Sequence, residues 1–124
     1  MNELIDYKIK IPFEEHELRG VLGCLYIDYQ CILQKEEVVQ CATDLQMGMK
    51  IFANAKNKLN HRELRYKVEG RPQVIKPLKV GMNKLELIWM FDYLHRADVV
   101  ELTHRRIEIG KWIIDLYPYS LDRL

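Results

Sequence analysis

The chain has 124 residues, 48% of them hydrophobic and 30% charged, which reads as one domain with its own core and excludes a disordered or low-complexity protein. No apolar run approaches the roughly 20 residues of a membrane span, and residues 1–11 lack the apolar stretch of a secretory signal, so the expectation is a soluble, cytoplasmic protein with no membrane partner. The net charge of +1 is sorted along the chain: residues 50–84 carry ten basic and two acidic side chains, a balance of +8, while residues 1–49 carry −5 and residues 85–124 carry −2.

Residues 4–11 alternate, with Ile5, Tyr7, Ile9 and Ile11 on one side and Asp6, Lys8 and Lys10 on the other. Period two with β-branched and aromatic residues predicts a half-buried strand, which Pro12 is expected to stop. Pro12 followed by Glu14, Glu15 and Glu17 is a helix start, because carboxylates favour the positive end of the helix dipole. Leu18, Val21, Leu22, Leu25, Tyr29, Ile32 and Leu33 then follow the spacing of one helical face. The odd-numbered set Val21, Leu25, Ile27, Tyr29, Cys31 and Leu33 also suits a strand, and both readings stand at this point. Lys35-Glu36-Glu37 marks a break.

Val38, Cys41, Ala42, Leu45, Met49 and Phe52 continue a helical stripe. Asn54, Asn57 and Asn60 compete with helix by bonding the backbone locally, which predicts an end near Leu59–His61. Residues 62–81 read two ways. Leu64, Tyr66 and Val68 alternate with charged residues ahead of Gly70-Arg71-Pro72, as in a β-hairpin near 63–80. The same stretch also reads as a loop leading into a helix that begins at Pro77.

Met82, Leu85, Leu87, Ile88, Trp89, Phe91 and Leu94 are apolar nearly all round and predict a helix that is deeply buried or sits at an oligomer interface. A tight connection at His95–Asp98, with Asp98 as N-cap, leads into a second stripe of Val99, Leu102, Ile109, Ile113 and Leu116. So short a connection predicts an antiparallel helix hairpin. The expected fold is therefore α+β and mostly helical. It has about four helices, a C-terminal antiparallel hairpin and a short N-terminal strand; 63–80 is left between β-hairpin and loop.

The basic middle is the leading functional candidate. Clustered Lys and Arg bind phosphate by neutralising charge and releasing counterions, and arginine grips phosphate with a two-pronged geometry lysine lacks. Lys56, Lys58, Arg62, Arg65, Lys67 and Arg71 are the expected binding residues, and the partner is nucleic acid or an acidic protein surface. Tyr66 and Phe52 lie within the run and are candidates for base stacking. The competing explanation is a solvated face that balances the acidic flanks.

Other chemistry has weaker support. Cys24, Cys31 and Cys41 form no disulfide framework, no C-x2-C or H-x3-H pair marks a metal site, and no cofactor is expected. A hydrolase site would be His61 or His104 with neighbouring acids, or His95, Arg96, His104 and Arg105 around the last helix pair, where His and Arg suit phosphodiester cleavage, but no phosphate loop, HExxH or nucleophile elbow is present. The expectation is a non-enzymatic binding protein that self-associates. The alternative is an adaptor or inhibitor acting through an apolar surface built from Tyr26, Tyr29, Tyr66, Tyr93, Tyr117, Tyr119, Trp89 and Trp112. The tail from Leu116 to Leu121 is expected to dock on its own domain or on a partner.

Residues 85–116, with Glu108-Ile109-Gly110-Lys111-Trp112-Ile113 near the end, resemble the closing helix pair of a family of small four-helix-bundle proteins. These are encoded in ribosomal RNA intervening sequences or serve as accessory proteins of diversity-generating retroelements. The resemblance implies an oligomer associated with a reverse transcriptase and nucleic acid. The strand-like N-terminus and the short connection at His95–Asp98 depart from that pattern, and no functional residue is carried over.

Overall fold

The computed structural model describes residues 8–70 and 76–116. Strand β1 (Ile9–Phe13) leads into α1 (Glu15–Leu33) and the long α2 (Val38–Glu69). Strand β2 (Leu78–Met82) precedes α3 (Lys84–Arg96), a short 3-10 turn (Val100–Leu102) and α4 (Arg105–Leu116). The fold is mostly helical α+β, with four α-helices and one two-stranded antiparallel sheet among the described residues.

Pro12 does not stop the first strand. It lies inside β1, opposite Lys79, where a two-stranded ribbon leaves a free edge for a residue without an N–H. Ile11 and Phe13 are fully buried, as expected from the alternation; Ile5 and Tyr7 lie outside the described residues. α1 then starts as its acidic first turn predicts. Glu17 reaches back to accept the Glu14 backbone N–H at 2.8 Å, closing the turn in the manner of a capping box. The helical reading of 18–33 holds and the strand reading does not. Leu18, Val21 and Leu25 are buried, while Tyr26, Tyr29 and Leu33 face outward on the last turns.

The break at Lys35-Glu36-Glu37 is real: Lys35 and Glu37 both adopt left-handed backbone, with φ of 60° and 44°. α2 packs on α1 through its first half, where Gly48 faces Leu25, and it runs to Glu69, beyond its expected end at Leu59–His61. Asn54, Asn57 and Asn60 are exposed, where each costs a helix a fraction of a kcal/mol. Burial of Phe52, Ala55 and Leu59 outweighs that. Past Leu59 the helix is supported by local pairs, Lys67 with Glu63 at 3.6 Å and Arg65 with Glu69 at 3.5 Å. Gly70 ends it with φ 66°, donating its N–H to Tyr66 O at 2.8 Å.

The hairpin near 63–80 is therefore absent, and so is a helix beginning at Pro77. Leu64, Tyr66 and Val68 are helical and exposed, so their alternation has no sheet behind it. β2 pairs instead with β1, in the register Ile9–Met82, Ile11–Val80 and Phe13–Leu78. Its inward residues Leu78, Val80 and Met82 join the core. Phe13 and Phe52 meet edge-on, with ring centroids 5.7 Å apart, and lock the ribbon to α2.

Asn83 caps α3: its side chain accepts the Glu86 N–H at 2.9 Å, and Glu86 accepts the Asn83 N–H at 2.9 Å. Leu87, Met90, Tyr93 and Leu94 carry α3 into the core. Asp98 is not an N-cap. Its φ of 48° is left-handed, whereas a capping residue needs extended backbone, and α4 begins only at Arg105. α3 and α4 still pack closely: a Cβ on Gly110 would lie 3.4 Å from the Phe91 ring. Arg105 ties α4 back to the start of the fold, donating to Glu17 at 3.0 Å and to Pro12 O at 2.6 Å. Among the described residues no helix is long and apolar enough to cross a membrane.

Candidate functional site

The basic residues of α2 divide between two sides of the helix. At about 100° per residue, Lys58, Arg62 and Arg65 share one flank, while Lys56 and Lys67 lie nearly opposite. Arg62 is half-buried and donates to Lys76 O at 2.7 Å, so it anchors the segment before β2. Arg71 lies outside the described residues. Of the six expected residues, the structure brings Lys58, Arg62 and Arg65 together and sets Lys56 and Lys67 apart from them.

Three lysines outside the six expected residues complete the first flank: Lys50 and Lys79 from the basic run and Lys8 from before it. Lys50 and Asn54 precede Lys58 on α2 at intervals of four residues, hence on the same side. Antiparallel pairing lays the side chain of Lys8, just before β1, against Gly81 of β2, two residues along the strand from Lys79. Lys8, Lys50, Asn54 and Lys79, with Gly81 and Glu86, line a recess of about 170 Å³ between the ribbon and α2. All three lysines are exposed, and none forms an ion pair with another described residue. From this recess the basic stripe continues along α2 through Lys58 to Arg65. The Lys50-to-Arg65 span covers fifteen residues, about 22 Å, the length of roughly six phosphates along one nucleic-acid strand. The Lys8–Lys79 neighbourhood was legible only to someone who already knew the strand pairing.

A second depression, of about 270 Å³, involves Asp28, Cys41, Asp44, Tyr93 and Arg96. Asp44 is buried and fully engaged. Arg96 donates to its two oxygens at 2.8 and 2.9 Å, Trp89 Nε1 donates at 3.0 Å and Gln40 at 3.2 Å. Burial pushes the Asp44 pKa upward, but these hydrogen bonds outweigh it and hold the carboxyl below its usual range. Tyr93 stacks on Trp89 at 4.8 Å and donates its hydroxyl to Asp28 at 2.7 Å. Burial raises the Asp28 pKa despite that bond. Every strong donor here already has an acceptor, so the network fastens α2 to α3.

A third feature is an apolar groove of about 460 Å³ between α1 and α2, lined by Leu22, Leu25, Tyr26, Tyr29, Leu45 and Met49, with Lys56 at its edge. Of the tyrosine-rich set, Tyr26, Tyr29 and Tyr66 are exposed, whereas Tyr93 is buried. Tyr117, Tyr119 and the tail 117–121 lie outside the described residues.

The grouping of His95, Arg96, His104 and Arg105 does not form one site. Arg96 is committed to Asp44 and to Asp92 at 2.6 Å, Arg105 to Glu17, Pro12 and Glu108, and His95 packs edge-on against Phe91. Cys41 is buried beside Cys31, and burial first, then that neighbouring thiol, pushes its pKa up to about 11. Among the described residues no three His, Cys, Asp or Glu side chains group as a metal site. No family model, curated protein or solved structure matches the chain.

Proposed function

We propose that this protein binds nucleic acid through the basic stripe formed by Lys8, Lys79 and the Lys50–Lys58–Arg65 flank of α2. The observation that carries the reading is the convergence of lysines from three separated segments on one surface, where they form no ion pair and outnumber the one carboxylate, Glu86, three to one. Like charges gathered in excess of their counterions raise the local potential and are relieved by a phosphate backbone. Five cationic contacts give a salt slope of about −3.5 for a single strand.

Two matched double variants test this. Lys58→Glu with Arg65→Glu reverses two charges on the stripe and breaks one surface ion pair. Lys56→Glu with Lys67→Glu reverses two on the other side and also breaks one. Binding to a labelled single-stranded oligonucleotide, followed by fluorescence anisotropy across salt concentrations, should weaken about tenfold or more in the first variant, with the salt slope shallower by about 1.4. The second variant should keep the wild-type slope. Equal weakening in both would show that only net charge matters, and binding of acidic protein without oligonucleotide would move the assignment to a protein partner.

The apolar groove favours a second reading, an adaptor whose α1–α2 face docks a partner chain or a second copy. Tyr26 is 60% exposed and Ile27 57%, large values for side chains of that type. A complex made there would persist at high salt, where the stripe loses its ligand.

A further inference from the structure

The recess at the head of the stripe has a charge and a size of its own. Lys8, Lys50 and Lys79 bring three ammonium groups to it, and the Glu86 carboxylate contributes one negative charge, a balance of +2. Glu86 is not free to move toward the lysines: it is 4% exposed and holds the Asn83 N–H. Asn54, one turn beyond Lys50 on α2, adds an uncharged amide able to donate a hydrogen bond. At about 170 Å³ the space lies well below the 300 Å³ or more of ordinary small-molecule sites, so it suits one compact group.

From that balance we infer that the recess is a seat for a single phosphate monoester. A monoester carries close to two negative charges at neutral pH and matches the net +2, whereas each diester of a continuous strand carries one and leaves a surplus. The inference rests on reading this flank as phosphate-binding, and it adds which phosphate sits at the end of the stripe. On a strand lying along Lys58 and Arg65, that group is a terminal phosphate. The same chemistry would also accept a free phosphorylated small molecule or inorganic phosphate.

The test compares oligonucleotides of one sequence bearing either a 5′-phosphate or a 5′-hydroxyl, and the same pair carrying the group at the 3′ end. Inorganic phosphate alone is titrated in parallel while the amide resonances of Lys79, Val80 and Gly81 are followed by NMR. The expected result is that one phosphorylated end binds about five- to tenfold tighter than its hydroxyl counterpart, the worth of one charge-assisted hydrogen bond at a partly exposed site. Lys50→Gln with Lys79→Gln should bring that ratio to one. Both positions are exposed, and an unchanged melting temperature would confirm that the variant is folded. Lys58→Glu with Arg65→Glu should weaken all the oligonucleotides and leave the ratio intact.

If no oligonucleotide binds but inorganic phosphate still shifts the three amides, the seat stands for a free phosphate source and the nucleic-acid reading falls. If the oligonucleotides bind with no preference for a phosphorylated end and inorganic phosphate shifts nothing, the seat is refuted while the stripe survives. Silence in every arm overturns both.

Discussion

Replacing Asp44 with alanine should be the most damaging single polar substitution in this protein. The carboxylate holds four hydrogen bonds from three residues and its side chain is only 3% exposed. Its removal orphans Trp89 Nε1, a half-buried donor, at a cost of about 1–2 kcal/mol. It also strips Arg96 of its bidentate partner. An uncompensated buried charge would cost about 3–5 kcal/mol, but Arg96 is 36% exposed and keeps Asp92, so solvent and that second carboxylate reduce this part to about 1–2 kcal/mol. The sum, about 3 kcal/mol, corresponds to a fall in Tm of about 10 °C for a domain of this size. Thermal melts followed by circular dichroism measure it directly.

The pH dependence of that loss carries a definite sign. The folded-state pKa of Asp44 is depressed, so its stabilisation is present above the unfolded value near 3.9 and is lost as pH falls through the folded value. Wild type and Asp44→Ala should therefore differ most near neutral pH and converge below about pH 4. A fall of less than 3 °C at pH 7, or a double-mutant cycle with Arg96→Met showing no coupling, would refute the account of the network as the α2–α3 fastener.

Two glycines on facing helices should respond in opposite directions. A Cβ at Gly48 would meet Leu25 Cδ2 at 2.5 Å, so Gly48→Ala should destabilise by about 1–2 kcal/mol through overpacking; a Cβ at Gly23 meets nothing within 4 Å, so Gly23→Ala should stabilise by up to about 1 kcal/mol. Denaturant midpoints decide both, and a gain at Gly48 would mean that the helices separate easily. Cys41, buried and with its pKa raised to about 11, should resist alkylation at pH 8 in the folded protein and react on unfolding. Rapid modification of the native thiol, read by mass spectrometry, would show that the start of α2 opens.

What the sequence revealed and what it concealed differ for physical reasons. The α1 start was readable because the preference of acidic side chains for a helix's first turn is local: Glu15 and Glu17 need nothing from elsewhere in the chain, whereas Pro12, read as part of the same start, belongs to β1. The ribbon was only half readable. Alternation announced β1, but its partner Leu78–Met82 is some 70 residues away, and strand pairing leaves no mark in the spacing of either strand alone. The false hairpin at 63–80 has the complementary cause. Leu64, Tyr66 and Val68 carry a strand-like pattern on a stretch of helix that buries none of these three side chains, so burial could not enforce a helical period there. The site followed the same division. Helical spacing separates Lys58 and Arg65 from Lys56 and Lys67, and that was available from the residue numbers once the helix was known to extend to Glu69. Lys8 and Lys79 required the sheet.

The length of α2 has one further consequence. None of its residues after Leu59 is fully buried, so the last ten behave as a cantilever about 15 Å long, held near its base by the Arg62 bond to Lys76 O and beyond that by local side-chain pairs. An isolated helix of ten residues is marginal in water. Amide exchange should therefore quicken progressively from Leu59 to Glu69, on a gradient rather than in one cooperative step. A polyanion gripping Arg65 would have to hold this arm straight, so part of its affinity would be offset by ordering the arm, and the arm's exchange rates would report occupancy of the stripe.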